Sequence, residues 1–351
     1  MGLPPVVDPA FAAVAEQGRS IIRNLMSETR LPGLSVAVGY KDSVIWSEGF
    51  GFADLEAGLP VTPATQFRIA SVTKVLTAAA LVRLWQEGRL DIDAPLTQWL
   101  PDWPWEPHRI TPRMLAGHLG GVRHYVPADF RRNIDRTPFP TAADAIRIFR
   151  EDPPVAPPGE QYFYTTFGYT LLSAVMETAT GKSFIEIMEE TVLHPLGLQQ
   201  TAPNHPEARI GALTRLYAPA GKNGWRTVNN SFPAYKWAGG GYVSTPEDLV
   251  RFGMAHLGPD FLQEGAKAAL FTPQLTTGGN PTGVGIGWVI SRDPRGQAMY
   301  FHNGSQAGAR SLLSLFPDDG LAVSLLSNVQ SVPEGIEDTG AQLAGLFAAQ
   351  A

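Results

Sequence analysis

Gln66-Phe-Arg-Ile-Ala-Ser71-Val-Thr-Lys74-Val-Leu-Thr-Ala-Ala-Ala80-Leu-Val-Arg-Leu-Trp-Gln-Glu87 is the most regular helical stretch of the chain. Val72, Val75, Leu76, Ala79, Ala80, Val82 and Leu84 supply an inward face, and Gly88 stands just past the end, so a helix is predicted over 71–87. Ser71 and Lys74 lie one turn apart on that helix, which lets the lysine amine sit beside the serine hydroxyl. A serine at a helix N-terminus also feels oriented backbone N–H groups that favour developing negative charge. Taken alone, the same four residues also read as an ordinary helix start with a solvated lysine.

Outward from this helix the chain turns β-rich on both sides. Residues 34–40 and 44–50 flank Lys41-Asp42-Ser43 and predict an antiparallel hairpin, preceded by an amphipathic helix over 8–27 with Phe11, Val14, Ile21, Ile22 and Leu25 on one face. Gly49-Phe-Gly-Phe52 reads as strand and turn rather than a nucleotide loop, because Pro60 and Pro63 follow instead of a helix. Residues 96–139 are rich in proline and aromatics, and helices are predicted over 141–150, 167–180 and 183–192, with another starting at Thr245-Pro-Glu-Asp248. Strands return at 283–291, 298–302, 310–316 and 321–327, with Asp318-Asp319-Gly320 as a hairpin turn, and a final helix spans about 333–349. The expected fold class is α+β: one antiparallel sheet built from both termini, flanked by helices, with a mostly helical region inserted. The corresponding division is 1–75 with 245–351 for the sheet region and 76–244 for the inserted one.

Composition narrows the function. The chain has 351 residues, 44% of them hydrophobic, which is ample for a folded core. A net charge of −6 without any long basic run argues against nucleic-acid and anionic-membrane partners. No stretch approaches the roughly 20 apolar residues of a membrane span. The start of the chain carries neither a basic segment nor an apolar signal core, so a cytoplasmic location is expected, or a periplasmic or secreted one if a leader has been removed. With no cysteine there is no disulfide, thiol nucleophile or Cys-ligated metal, and none of the seven histidines forms a tight metal-binding pair. No metal and no cofactor is implied.

Two further elements bear on the chemistry of Ser71 and Lys74. Tyr164-Thr-Thr166 follows Pro157-Pro-Gly159, and a buried phenol there is either a proton shuttle or a core aromatic. His302-Asn-Gly304-Ser305 comes at the end of a predicted strand; glycine permits close backbone approach, and the Ser305 N–H is a candidate partner for that of Ser71 in an oxyanion hole. Ser–Lys pairs are a known alternative to Ser–His–Asp, with a desolvated lysine taking the serine proton.

In this order and spacing, the three elements resemble those of the serine β-lactamase and penicillin-binding-protein superfamily. The similarity is greatest to the class C β-lactamase-like branch, which includes family VIII esterases and D-Ala-D-Ala carboxypeptidase- or aminopeptidase-type enzymes. Gln66-Phe-Arg-Ile-Ala70, Arg113-Met-Leu-Ala-Gly-His-Leu-Gly-Gly121, Gly168-Tyr-Thr-Leu-Leu172 and Ala238-Gly-Gly-Gly-Tyr-Val-Ser-Thr-Pro-Glu-Asp248 fit the same pattern, which covers about 32–328. Tyr164-Thr-Thr-Phe-Gly-Tyr169 is also similar to mitochondrial β-lactamase-like serine proteases of animals.

The resemblance implies a serine hydrolase in which Ser71 attacks, Lys74 and Tyr164 share the base and relay roles, and water resolves the acyl-enzyme. Backbone N–H groups of Ser71 and Ser305 would hold the oxyanion, beside Gly304, and His302 would orient Tyr164 or the substrate. Tyr125, Trp105, Phe163 and Trp237 are candidate pocket walls. Two departures matter. Thr166 stands where the family commonly has asparagine, and a hydroxyl lacks the two amide donors. His302-Asn-Gly304 replaces the Lys-Thr-Gly usual in true β-lactamases, exchanging a fixed charge for a largely neutral ring. Both favour small esters or peptide-like amides as substrates, with weak or no β-lactamase activity. The alternatives are a D-amino-acid-specific or other peptidase, and a non-catalytic scaffold on the same fold. An α/β-hydrolase would need Gly-x-Ser-x-Gly, which the chain lacks. Oligomeric state is not legible.

Overall fold

Two hairpins, one from each end of the chain, meet along the centre of a single antiparallel sheet. The computed structural model describes residues 4–106, 109–205, 213–221, 224–229, 231–330 and 336–351. Strand β1 is Val6–Val7, β2 Gly33–Tyr40, β3 Ser43–Asp54, β4 Val289–Arg292, β5 Ala298–Gln306, β6 Ala309–Phe316 and β7 Leu321–Ser327. Their spatial order is β1-β3-β2-β7-β6-β5-β4, with the short strand Leu59–Pro60 attached to β3. The N-terminal hairpin thus joins the C-terminal one through β2 and β7, with Val36 opposite Leu325, which in turn faces Leu312 on β6. The fold class is α+β, as the alternation of segments implied.

Period-two patterning decides which residues enter which layer. Val36, Val38, Leu312, Val323 and Leu325 face a core made with helix α1, Ala12–Thr29, whose Val14, Ala15 and Ile22 join it. A helix at the far end, Ile336–Ala348, closes the same layer by stacking Phe347 on Trp46 at 5.7 Å. The intervening sheet residues Ala37, Leu313, Leu315 and Ala322 face the opposite core, which contains helix α2, Thr73–Gln86, helix α3, Thr166–Thr180, and helix α4, Pro246–Leu257. Each buried Val or Leu contributes about 1.5–3 kcal/mol, and a one-residue register slip would exchange the two sets of side chains. That fixes β5 and β6 relative to the helices that begin just after Ser71 and Tyr164.

Several boundaries differ from expectation for local reasons. The first helix starts with a 3₁₀ turn, Pro9–Phe11, and runs on to Thr29. Residues 283–288 are not strand, because Gly283 and Gly287 adopt φ of 74° and 80°, so β4 is confined to Val289–Arg292. Strand β5 does not stop at His302 but continues to Gln306. The helix expected over 141–150 is a short one, Ala142–Ile146, and the one expected over 183–192 is Phe184–Met188 followed by a wider π turn. Residue 333, the expected start of the last helix, lies outside the described residues. Among the described residues no helix is long and apolar enough to cross a membrane.

Candidate active site

Ser71 sits where a short strand turns abruptly into helix. Phe67–Arg68 pairs with Tyr242–Ser244, then Ala70–Val72 forms a 3₁₀ turn before α2 begins at Thr73. The sequence placed Ser71 on the α-helix itself; it lies instead in this preceding turn. Ala70 has φ of 44°, a left-handed conformation that costs a non-glycine residue of order 1–3 kcal/mol. The surroundings hold it there. Ile69 N–H donates to the Tyr242 carbonyl at 3.1 Å, Ser311 Oγ on β6 donates to the Ile69 carbonyl at 2.6 Å, and Thr73 Oγ1 donates to the Ala70 carbonyl at 2.7 Å. The turn therefore presents a half-buried Ser71 between the sheet and the helical region.

Two side chains converge on its hydroxyl. Tyr164 OH donates to Ser71 Oγ at 2.8 Å, and Lys74 Nζ lies 3.2 Å from the same oxygen. Lys74 also donates to the Gly239 carbonyl at 2.6 Å and to Thr166 Oγ1 at 3.3 Å. A neutral amine has two N–H bonds and one lone pair. With Gly239 and Thr166 taking the N–H bonds, the lone pair is left facing Ser71.

The electrostatics divide the roles of this pair. Lys74 is fully buried, because α2 is buried on every side from Thr73 to Val82 rather than along one stripe. Burial lowers its pKa from 10.5 to about 7, so near neutrality much of the amine is unprotonated. Burial acts the other way on Tyr164, raising the phenol to about 12 against a lowering hydrogen bond with Ser71. At neutral pH the phenol keeps its proton. Lys74 is then the base of the two, and Tyr164 a donor that can pass a proton on.

Two histidines that sequence reasoning assigned no role hold this arrangement in place. His118 Nδ1 accepts from the Thr165 N–H at 3.2 Å, and His124 Nδ1 accepts from the Thr166 N–H at 3.0 Å. Both rings must be unprotonated at Nδ1 to do so. Burial, assisted by the charge of Lys74, depresses His118 well below its usual range and His124 to about 4. Their rings also flank the aromatic residues of the site, His118 at 4.5 Å from Tyr164 and His124 at 3.8 Å from Tyr125. Thr165 in turn caps α3 by accepting from the Gly168 N–H at 3.2 Å. These are positioning residues for Tyr164 and Thr166. Their sequence signal was only position: His118 lies inside the stretch 113–121 quoted above, and His124 just beyond it.

Strand β5 forms the opposite wall. His302 is buried, its Nδ1 is 2.6 Å from the Asn303 carbonyl, and burial lowers its pKa to about 3. A carbonyl only accepts, so Nδ1 carries the proton and the ring is neutral. The His302 and Tyr164 rings lie 6.3 Å apart, with Nδ1 engaged by the backbone rather than the phenol. Gly304 and Ser305 lie within the strand, opposite Ser311 and Arg310, and not past its end as expected.

At Gly304 the backbone of β5 lies directly against the Ser71 turn. A Cβ there would overlap Ser311 Oγ and approach the Ile69 carbonyl oxygen to 2.5 Å and the Ser71 amide nitrogen to 2.9 Å. Gly304→Ala is therefore expected to push β5 off the turn and lower kcat/KM by about 10²–10³-fold, the scale of losing an oxyanion donor. Steady-state kinetics beside a melting curve will check this; near-normal kcat/KM would show that the amides of Ser71 and Ser305 need not be held together.

The remaining expected wall residues are dispersed. Tyr125 packs on His124, whereas Trp237 meets His205 at 6.1 Å. Phe163 is exposed beside Tyr164, and Trp105 packs on Trp103 at 5.3 Å in a cluster with Phe149. Among the described residues, no group of His, Asp and Glu is arranged to hold a metal.

A family model described as beta-lactamase matches residues 19–346. The chain is 28% identical to the human mitochondrial serine beta-lactamase-like protein LACTB, over 97% of this chain and 81% of that one. It is 25% identical to penicillin-binding protein 4* of Bacillus subtilis, over 88% of this chain and 69% of that one. The octameric penicillin-binding protein homologue from Pyrococcus abyssi superposes with a TM-score of 0.82 at 26% identity, covering 95% of this chain and 77% of the other. Fold, turn geometry and the match along nearly the whole length agree: the chain belongs to the beta-lactamase family.

Proposed function

We propose that this protein is a serine hydrolase acting through a Ser71 acyl-enzyme on small esters or peptide-like amides, with weak or no β-lactamase activity. The observation that carries the reading is the convergence of Lys74 Nζ and Tyr164 OH on one hydroxyl, at 3.2 and 2.8 Å. In acylation Ser71 Oγ bonds to the substrate carbonyl carbon while Lys74 takes the hydroxyl proton. The carbonyl oxygen gains negative charge against the Ser71 and Ser305 amides. The tetrahedral intermediate collapses as the bond to the leaving group breaks, and Tyr164 passes a proton to that group, regaining one from Lys74. Water repeats the sequence on the acyl-enzyme and releases the acid.

Substrate preference follows from two side chains. Thr166 accepts from Lys74 and turns its methyl toward Gly239, so it offers no amide donors to a substrate. His302 is neutral and supplies no fixed charge. An ester, with its better leaving group, needs less of this help than an amide. The test is a panel of short-chain p-nitrophenyl esters, a chromogenic cephalosporin, and D- and L-aminoacyl amides. Efficient ester cleavage with slow cephalosporin turnover is expected. The reverse order would overturn the reading, and selective cleavage of D-aminoacyl amides would redirect it to a peptidase.

Thr166→Asn probes the same point from the other side. An asparagine oxygen there can accept from Lys74 while its amide donates to a β-lactam side chain. One such hydrogen bond made in the transition state is worth about 1–1.5 kcal/mol, or roughly tenfold. Acylation by a penicillin or cephalosporin should speed up by that factor while ester hydrolysis changes little, as stopped-flow mass spectrometry will report. An equal gain for both substrate classes would mean that Thr166 does not face the substrate amide.

A further inference from the structure

Lys236 is a second buried lysine beside the Ser71 cleft, and the reaction outlined above does not use it. It is 9% exposed. Its ammonium lies over two phenol rings, 5.7 Å from the centre of Tyr125 and 5.6 Å from that of Tyr235. Among the described residues no carboxylate comes within ion-pair distance and no acceptor within hydrogen-bond distance of it. Asp135 acts on it only from farther off, and the Tyr235 hydroxyl donates to that carboxylate at 3.2 Å. Buried charges are ordinarily paired; this ammonium has no contact partner among the described residues and is not sealed from solvent, so an anion from solution can reach it.

Its place in the fold ties it to the reacting serine. Lys236 closes the 3₁₀ turn Ala234–Lys236 and is followed directly by the short helix Trp237–Gly240, whose Gly239 carbonyl holds Lys74. The Tyr125 ring beneath its ammonium also packs on His124, which holds the Thr166 amide. Lys236 therefore shares two supporting elements with the catalytic cluster. Its neighbours in the electric field are Lys74 and Arg68, both positive, against the single carboxylate of Asp135.

We propose that Lys236 anchors a carboxylate carried by the substrate, making this a hydrolase of acyl compounds with a free acid group near the scissile carbonyl. The inference rests on the serine-hydrolase reading for its catalytic consequence, but not for binding. A carboxylate suits the site better than a phosphate: one ammonium between two ring faces offers a point charge with few additional donors, and a dianion would demand more. Burial lowers the Lys236 pKa to about 8, which still leaves most of the side chain charged near neutrality.

The test uses mono-p-nitrophenyl esters of succinate, glutarate and adipate against neutral p-nitrophenyl esters of matched length. At least one half-ester should be favoured in kcat/KM by about tenfold or more in the wild type, the ratio should approach one in Lys236→Met, and Lys236→Arg should retain a clear preference. A second arm measures binding of the intact esters to the Ser71→Ala protein by calorimetry, with and without Lys236→Met. Hydrolysis with no preference for any half-ester would overturn the Lys236 inference and leave the hydrolase reading intact. Preferential binding of a half-ester that disappears with Lys236→Met, without turnover of any ester by the wild type, would overturn the hydrolase reading and leave the anchor standing. If Lys236→Met weakens charged and neutral ligands equally, its role is structural and the inference fails.

Discussion

Ser71→Ala is expected to lower ester turnover by roughly 10⁵–10⁶-fold, the scale seen when a catalytic nucleophile is deleted from a preorganised site. The substitution removes one oxygen, the point on which Tyr164 OH and Lys74 Nζ converge. It leaves the packing around the turn intact, because Ile69 and Val72 carry the apolar contacts there and Ser311 still ties the Ile69 carbonyl to β6. The variant should therefore keep the wild-type circular dichroism spectrum and a cooperative melt. Intact-protein mass spectrometry after exposure to a fluorophosphonate should show one adduct on the wild type and none on the variant. Equal labelling of both would place the nucleophile elsewhere.

Lys74→Met is expected to cost about 10³–10⁴-fold in kcat/KM, the upper range for a general base. Methionine matches the length of the lysine stem and suits the apolar burial of α2, so loss of activity will not reflect a cavity. The pH profile gives an independent readout. Lys74 is active as the free amine, and burial sets its pKa near 7, so wild-type kcat/KM should climb roughly tenfold per pH unit below about 7 and level off above it. The variant should lose that limb. A wild-type profile that is flat from about pH 5.5 to 9 would remove Lys74 from the base role.

How much of this was legible in the sequence depended on how local each contact is. The Ser71–Lys74 pair lies within one helical turn, so spacing alone brought the two together, and Asp318-Asp319-Gly320 announced its hairpin through a glycine with φ of 65°. Tyr164 stands 93 residues from Ser71, and only its motif context flagged it. His118 and His124 act on backbone amides 47 and 42 positions away. Nothing in a single imidazole within a sequence signals such a partner. Lys236 was hidden for a different reason: a lysine reads as a solvated charge until the fold buries it between Tyr125 and Tyr235. The all-round burial of α2 was missed because its alanines satisfy both a one-sided and an all-sided pattern.

The pairing of β2 with β7 sets a clock on the enzyme as well as a shape. During synthesis Ser71, Lys74 and Tyr164 leave the ribosome long before β5, β6 and β7 are made. Until those strands arrive, the N-terminal hairpin has no neighbour along β2, and the Ser71 turn lacks its tie to Ser311, 242 residues downstream of Ile69. The left-handed Ala70 then lacks one of its three supports, the bond from Ser311 to the Ile69 carbonyl, and Gly304 is not yet available to close the wall beside Ser71. A nascent chain halted before β5 should therefore carry all three reactive side chains and remain inert toward a fluorophosphonate. Long-range pairing of this kind is slow to form, so the arrangement around Ser71 is completed only once the last strands are in place.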